Sequence, residues 1–161
     1  GYEVIALDTV QTDAERCSSS AVREALAACD FGRAERLLGH PYRVVGRVRR
    51  GLQLGRTLDM ATANISIRKR LAIPLGVYAV RASCEAQRWT GVASLGIRPT
   101  LGLTQCLLET HVFDAQPDLY GRVLEVEFRH FLRTELRFDS LDALKQQMHN
   151  DAADARRLLA A

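Results

Sequence analysis

From residue 42 onward the chain breaks into six short runs rich in Val, Ile, Leu, Thr and Tyr, at 42–50, 62–67, 76–85, 88–95, 105–113 and 122–132, separated by Gly, Pro or Asp. Runs of this length and punctuation read as β-strands. The alternation is clearest where Leu124, Val126 and Phe128 fall on one side and Glu125, Glu127 and Arg129 on the other. So many short strands leave unpaired edges unless the sheet closes on itself, and a barrel is the expected arrangement.

Helical patterns flank this β region. Gly1 to Leu7 reads as a further strand, after which Ser18, Ser19 and Ser20 offer hydroxyls to cap a helix with Val22, Leu26 and Cys29 on one face. Asp30 and Gly39 then bracket a second short helix as N-cap and stop, with Phe31, Ala34 and Leu37 inward. Chain organisation changes at Gly39-His40-Pro41. At the C-terminus, Asp139 or Ser140 can start a helix whose Leu141, Leu144, Met148, Ala152, Ala155 and Leu159 form one apolar stripe. That stripe is expected to pack as core over one mouth of the barrel.

At 161 residues there is room for one domain, or one domain and a fragment of another. No stretch approaches the roughly 20 apolar residues of a membrane span, and the first residues lack a basic leader, so the expected compartment is the cytoplasm. Cys17, Cys29, Cys84 and Cys106 are far apart with no C-x-x-C pair, which suits small buried hydrophobes rather than a metal or redox site. The net charge of +3 and the scarcity of aromatics argue against nucleic-acid binding despite the clusters Arg47-Arg49-Arg50 and Arg68-Lys69-Arg70.

Chemistry can reside in three places. Gly51 to Arg56, with Gly51 and Gly55, is either a plain hairpin turn or a loop whose backbone N–H groups approach phosphate, with Arg56 adding a charge-assisted contact. Thr62 and Asn64, two apart in a strand, project to one face. They are either part of a solvated surface or a pair of hard oxygen donors, which Mg²⁺ shares with substrate phosphates. Glu109 and His111 share a face with Leu107 and Phe113. A carboxylate among apolar neighbours is costly without a partner or a task, and one such task is to deprotonate an attacking hydroxyl; His111 reads as a structural hydrogen-bonding group. Gly91 to Thr100 ends a strand in a turn where Arg98 can serve an anion or an acidic partner.

Taken in order, these pieces resemble the bacterial riboflavin kinase/FAD synthetase family. The resemblance rests on Ser18-Ser19-Ser20-Ala21-Val22-Arg23, Leu38-Gly39-His40-Pro41-Tyr42, Gly55-Arg56-Thr57-Leu58, Thr62-Ala63-Asn64 and Pro74-Leu75-Gly76-Val77-Tyr78. It continues through Gly96-Ile97-Arg98-Pro99-Thr100, Glu109-Thr110-His111, Asp118-Leu119-Tyr120-Gly121 and Arg137-Phe138-Asp139-Ser140-Leu141. It implies a mainly β fold: a six-stranded antiparallel Greek-key barrel with a C-terminal helix over residues 40–161, preceded over residues 1–39 by a short α/β remnant of a nucleotidyltransferase domain.

The function it implies is ATP-dependent phosphorylation of riboflavin at the ribityl 5′-hydroxyl to give FMN. Glu109 is then the catalytic base, and Thr62 and Asn64 hold Mg²⁺ and ATP. Gly51, Gly55 and Arg56 bind ATP phosphates, while Arg98, Asp118, Tyr120 and Gly121 bind the flavin. The partners implied are riboflavin/FMN and ATP/ADP, with neither nucleic acid nor membrane, in a monomer or weak oligomer. FAD synthesis belongs to the family's other module, whose H-x-G-H-type signature this sequence lacks, so none is expected of this chain. One departure stands out. Where the family has Gly-aromatic-Pro before Thr-Ala-Asn, this chain has Asp59, Met60 and Ala61. A carboxylate about 5 Å from a phosphate charge costs roughly 3 kcal/mol at an effective dielectric of 20, so weaker ATP binding is expected unless Asp59 binds Mg²⁺ or points away, and a flavin-binding domain with weakened or lost kinase activity is the alternative reading.

Overall fold

In the computed structural model, residues 10–13, 15–50, 60–100 and 103–160 are described, without the side chains of 98–100 and 103–105. The expected strand at 1–7 lies outside them. A two-residue hairpin, β1 (Gln11–Thr12) and β2 (Glu15–Arg16), leads into α1 (Ser19–Ala27) and α2 (Phe31–Leu38). Six longer strands follow: β3 (Arg43–Arg47), β4 (Ala63–Ile67), β5 (Gly76–Cys84), β6 (Gln87–Thr100), β7 (Leu103–Val112) and β8 (Val123–Arg133), and α3 (Leu141–Ala160) closes the described chain.

The caps fall where the sequence puts them. The Ser18 hydroxyl accepts from the Ala21 N–H and the Asp30 carboxylate from the Arg33 N–H. Gly39 ends α2 with φ of 75°, a left-handed conformation that glycine adopts without steric penalty. For α3 the cap is Ser140, whose Oγ accepts from the Ala143 N–H.

The six strands form one antiparallel sheet in the order β3-β8-β5-β6-β7-β4. Strands β5, β6 and β7 run as a meander and β8 returns beside β5, which is the Greek-key order. The sheet curls until its two outer strands meet: the Arg49 N–H donates to the Asn64 carbonyl at 2.8 Å, bridging the chain just beyond β3 to β4. Gly46 sits at this seam, where a Cβ would lie 2.3 Å from Ile65 Cγ2, so the strands can approach only because it has none.

Side-chain alternation sorts the barrel into an interior and an outer wall. Tyr78, Val80, Leu95, Leu108, Leu124, Val126 and Phe128 fill the interior and are almost wholly buried. Their core is continuous with Ala25, Leu26, Phe31, Ala34 and Leu37 of the helical hairpin. The Phe31 ring stacks on Phe128 at 6.1 Å and meets Tyr78 edge-on at 6.0 Å, and Arg129 pairs with Glu35 at 3.1 Å. Residues 19–38 are thus packed onto the barrel.

The C-terminal helix departs from expectation. Its stripe lies against the outer wall, where Ala155 joins Met60, Val77, Ala79, Val92 and Phe113 in a second apolar cluster flanked by Met148, Ala152 and Leu159. The helical hairpin, rather than α3, packs into the barrel interior. Leu141 is 69% exposed and outside the stripe altogether. An apolar stripe specifies that something is covered, but a wall and a mouth bury it equally well. Among the cysteines, all free, only Cys84 is buried; Cys17, Cys29 and Cys106 are half-buried.

Candidate active site

The register of the sheet brings two of the sequence-predicted polar residues, Asn64 and Glu109, into one row. Asn64 of β4 stands directly opposite Glu109 of β7, and Glu109 directly opposite Ser94 of β6. Direct cross-strand partners point to the same face, so an amide, a carboxylate and a hydroxyl share the outer wall. Asn64 is 5% exposed because it lies at the seam, held by Arg49 on one side and β7 on the other. Its Nδ2 donates to the Thr62 carbonyl at 3.2 Å, and its Oδ1 is buried with no hydrogen-bond partner among the described residues. Such an atom is costly to bury unless a ligand completes it.

Thr62 lies just before β4, and His111 keeps its segment in place: the Nδ1–H of His111 donates to the Ala61 carbonyl at 2.9 Å. The same ring packs edge-on to Phe113 at 5.9 Å. The structural reading of His111 holds, and what it anchors is the residue preceding Thr62.

Two clefts meet here. The larger, about 1120 Å³, has a floor of interior-facing residues (Val48, Ala63, Thr110, Val112 and Leu119) and a polar rim that includes Arg50, Asp114, Asp118 and Tyr120. The smaller, about 400 Å³, runs along the outer wall beneath α3 and is lined by Val77, Val92, Ser94, Glu109, Phe138, Leu144 and Met148, with Arg133 and Glu135 at its side. Thr62 and His111 line both.

The predicted flavin residues divide between places. Asp118, Leu119 and Tyr120 belong to the larger cleft, where the Asp118 carboxylate accepts from the Tyr120 N–H at 3.3 Å and the Arg50 guanidinium lies 5.6 Å over the Tyr120 ring. Gly121 ends this loop with φ of 75°, its N–H donating to Val48 and its carbonyl accepting from Arg47. Arg98 stands on β6 opposite Gln105; its side chain, like Gly51, Gly55, Arg56 and Asp59, falls outside the described residues.

Sequence reasoning did not single out Arg133, Glu135 or Asp151. Arg133 donates through Nε and Nη2 to both carboxylate oxygens of Asp151, at 2.9 and 2.7 Å, and Gln147 adds a third bond to Asp151 at 2.9 Å. The Arg133 guanidinium also lies 5.9 Å from the Phe138 ring. Glu135 reaches over Gly96, where a Cβ would come within 2.5 Å of its carboxylate. Phe138 enters the sequence reading only as part of the Arg137–Leu141 resemblance.

With this geometry in view, the comparisons are specific. Residues 38–159 match the family model described as Flavokinase: Riboflavin kinase. Curated relatives named bifunctional riboflavin kinase/FMN adenylyltransferase include that of Pseudomonas fluorescens, 48% identical over 99% of this chain and 52% of the relative. That of Haemophilus influenzae is 46% identical over 89% and 47%. A solved structure described as a macrolide-efflux protein from Streptococcus pneumoniae superposes with a TM-score of 0.80 at 31% identity, over 92% of this chain and 49% of that one. Riboflavin kinase from Trypanosoma brucei shares the fold, with a TM-score of 0.52 at 23% identity over 74% of this chain and 80% of that one. The fold is the six-stranded barrel shared with these proteins. The chain belongs to the riboflavin kinase family, and it spans about half the length of the curated relatives it matches.

Proposed function

We propose that this chain phosphorylates the ribityl 5′-hydroxyl of riboflavin with ATP, giving FMN and ADP. The observation that carries the reading is the meeting of the two clefts at Thr62 and His111, beside the row formed by Asn64 and Glu109. A two-substrate transfer needs separate chambers sharing one wall, with the reacting groups at the junction.

The smaller cleft suits the isoalloxazine ring: its walls are Val77, Val92, Leu144, Met148 and Phe138, and flat aromatic ligands gain most from such surfaces. The larger suits the nucleotide, since Arg50 is at its rim and the expected phosphate loop with Gly51, Gly55 and Arg56 follows directly in sequence. On this assignment Asp118, Tyr120 and Gly121 serve the nucleotide rather than the flavin, while Arg133, Glu135 and Phe138 take the flavin side. Arg98 stays a flavin-side candidate through its place on β6.

Glu109 lines the flavin cleft one strand from Asn64. It accepts the 5′-hydroxyl proton as the oxygen attacks the γ-phosphorus and the bond to ADP breaks. Thr62 and Asn64 orient the polyphosphate, and α3 with the segment before it keeps water from the acceptor. The donor set fits a divalent cation: two hard oxygens, one of them the buried Asn64 Oδ1. Mg²⁺, the ion best matched, supplies charge neutralisation across the phosphates when bound. Residues 1–39 are read as the closing piece of a preceding adenylyltransferase module, in keeping with a family match that begins at residue 38. The test is FMN formation from riboflavin and Mg-ATP, followed by chromatography; riboflavin binding without FMN would select a non-catalytic binding domain instead.

A further inference from the structure

We infer that the Thr110 hydroxyl is a nucleotide contact, reading the nucleoside half of ATP at the floor of the larger cleft; this rests on the assignment of that cleft to ATP. Thr110 is 1% exposed, and its Oγ1 has no hydrogen-bond partner among the described residues. Its register partners are Ala63 and Ala93, two small side chains with no polar atom to offer it. A buried hydroxyl left in that condition costs stability, and replacing it by a methyl group would remove the cost. The position nevertheless carries a hydroxyl, directly in the lining of a cleft.

The surroundings indicate which part of the nucleotide it meets. Val48, Ala63, Val112 and Leu119 complete the floor, and all are buried and apolar. A triphosphate would lose its hydration against such a surface, whereas a base or ribose buries apolar area and still presents hydrogen-bonding edges. The charged groups of this cleft, Arg50, Asp114 and Asp118, stand at its rim, and Thr62 lies at the junction with the smaller cleft. Thr110 adjoins Glu109 in sequence but points to the other side of β7, into the interior. It therefore acts on how ATP is held, not on the acceptor proton.

The experiment compares wild type with Thr110→Val, which keeps the shape, and Thr110→Ser, which keeps the hydroxyl. AMP and Mg-ATP affinities are measured by calorimetry, riboflavin affinity by fluorescence quenching, and ligand-free melting temperature by calorimetric scan. Thr110→Val is expected to weaken AMP and Mg-ATP alike by roughly 3- to 10-fold, the worth of one neutral hydrogen bond. Riboflavin affinity stays put, the melting point does not fall, and Thr110→Ser retains most of the nucleotide affinity. Unchanged AMP affinity in Thr110→Val overturns the inference, as does a lowered melting point without loss of nucleotide binding. Loss of Mg-ATP affinity with AMP spared overturns the nucleoside assignment and moves the contact to the phosphates. Wild-type chain that binds AMP yet forms no FMN defeats the kinase reading while leaving the Thr110 contact measurable.

Discussion

Asn64 and Glu109 face each other across the β4–β7 ladder, one on each strand and both on the outer wall of the barrel. Forty-four intervening residues separate them in sequence, yet the antiparallel register leaves them as direct neighbours. The amide carries a buried oxygen with no hydrogen-bond partner among the described residues, and the carboxylate lines the smaller cleft. If Asn64 helps to hold the cation, Asn64→Ala should raise the Mg²⁺ concentration for half-maximal rate roughly 10-fold or more. Riboflavin affinity should not move. A magnesium titration at saturating substrates checks this.

The Arg133–Asp151 pair ties the end of β8 to α3, with side-chain exposures of 19% and 7%. Removing one member of a buried pair strands the other. Asp151→Ala should cost about 3 kcal/mol, the lower end of the range for such losses because Arg133 is not fully enclosed. Urea denaturation gives the stability. The Michaelis constant for riboflavin should rise as well, since Arg133 also abuts Phe138.

Asp114, on the loop lining the larger cleft, accepts two bonds from Arg156 of α3, at 2.6 and 2.9 Å. The Arg156 guanidinium holds the Asp114 carboxyl below its ordinary range, and itself lies 4.2 Å over the Phe113 ring. A carboxylate with a lowered folded pKa lends stability that is whole above its unfolded pKa, about 4, and is lost as the pH falls through the folded value. Asp114→Asn should therefore flatten the acid side of a melting-temperature profile below about pH 4 and leave the pH dependence above that unchanged. The pair is exposed, so the effect is small and shrinks with added salt.

Ala61 precedes Thr62, and its carbonyl is the acceptor for His111. Proline at this position fixes φ while keeping that carbonyl. Ala61→Pro, with Asp59→Gly to restore the glycine of the family pattern, should lower the Michaelis constant for ATP. Steady-state kinetics with ATP varied gives the answer, and an unchanged constant counts against the orientation assigned to Thr62.

Much of this was legible in the chain because the informative patterns are local. Strand periodicity located all six barrel strands to within a few residues, except that β6 runs on to Thr100. Ser18, Asp30 and Gly39 announced their caps because capping is a matter of adjacent atoms. Register is not local. Nothing in Thr62-Ala63-Asn64 or Leu108-Glu109-Thr110 dictates that they pair, and only the family resemblance put them together. For the same reason the sequence could not separate one wall of the barrel from its mouth. Arg133 and Asp151 went unnoticed since their partnership joins a strand end to a helix interior, and Thr110 because a hydroxyl between Glu109 and His111 shows no sign of lacking a partner.

The most direct measurement is the rate of FMN formation from riboflavin and Mg-ATP by the wild-type chain beside Glu109→Ala. Loss of one general base predicts a fall in turnover of roughly 10²–10⁴, with riboflavin and ATP still bound and the melting temperature little changed. Turnover in Glu109→Ala equal to that of the wild type would contradict the account.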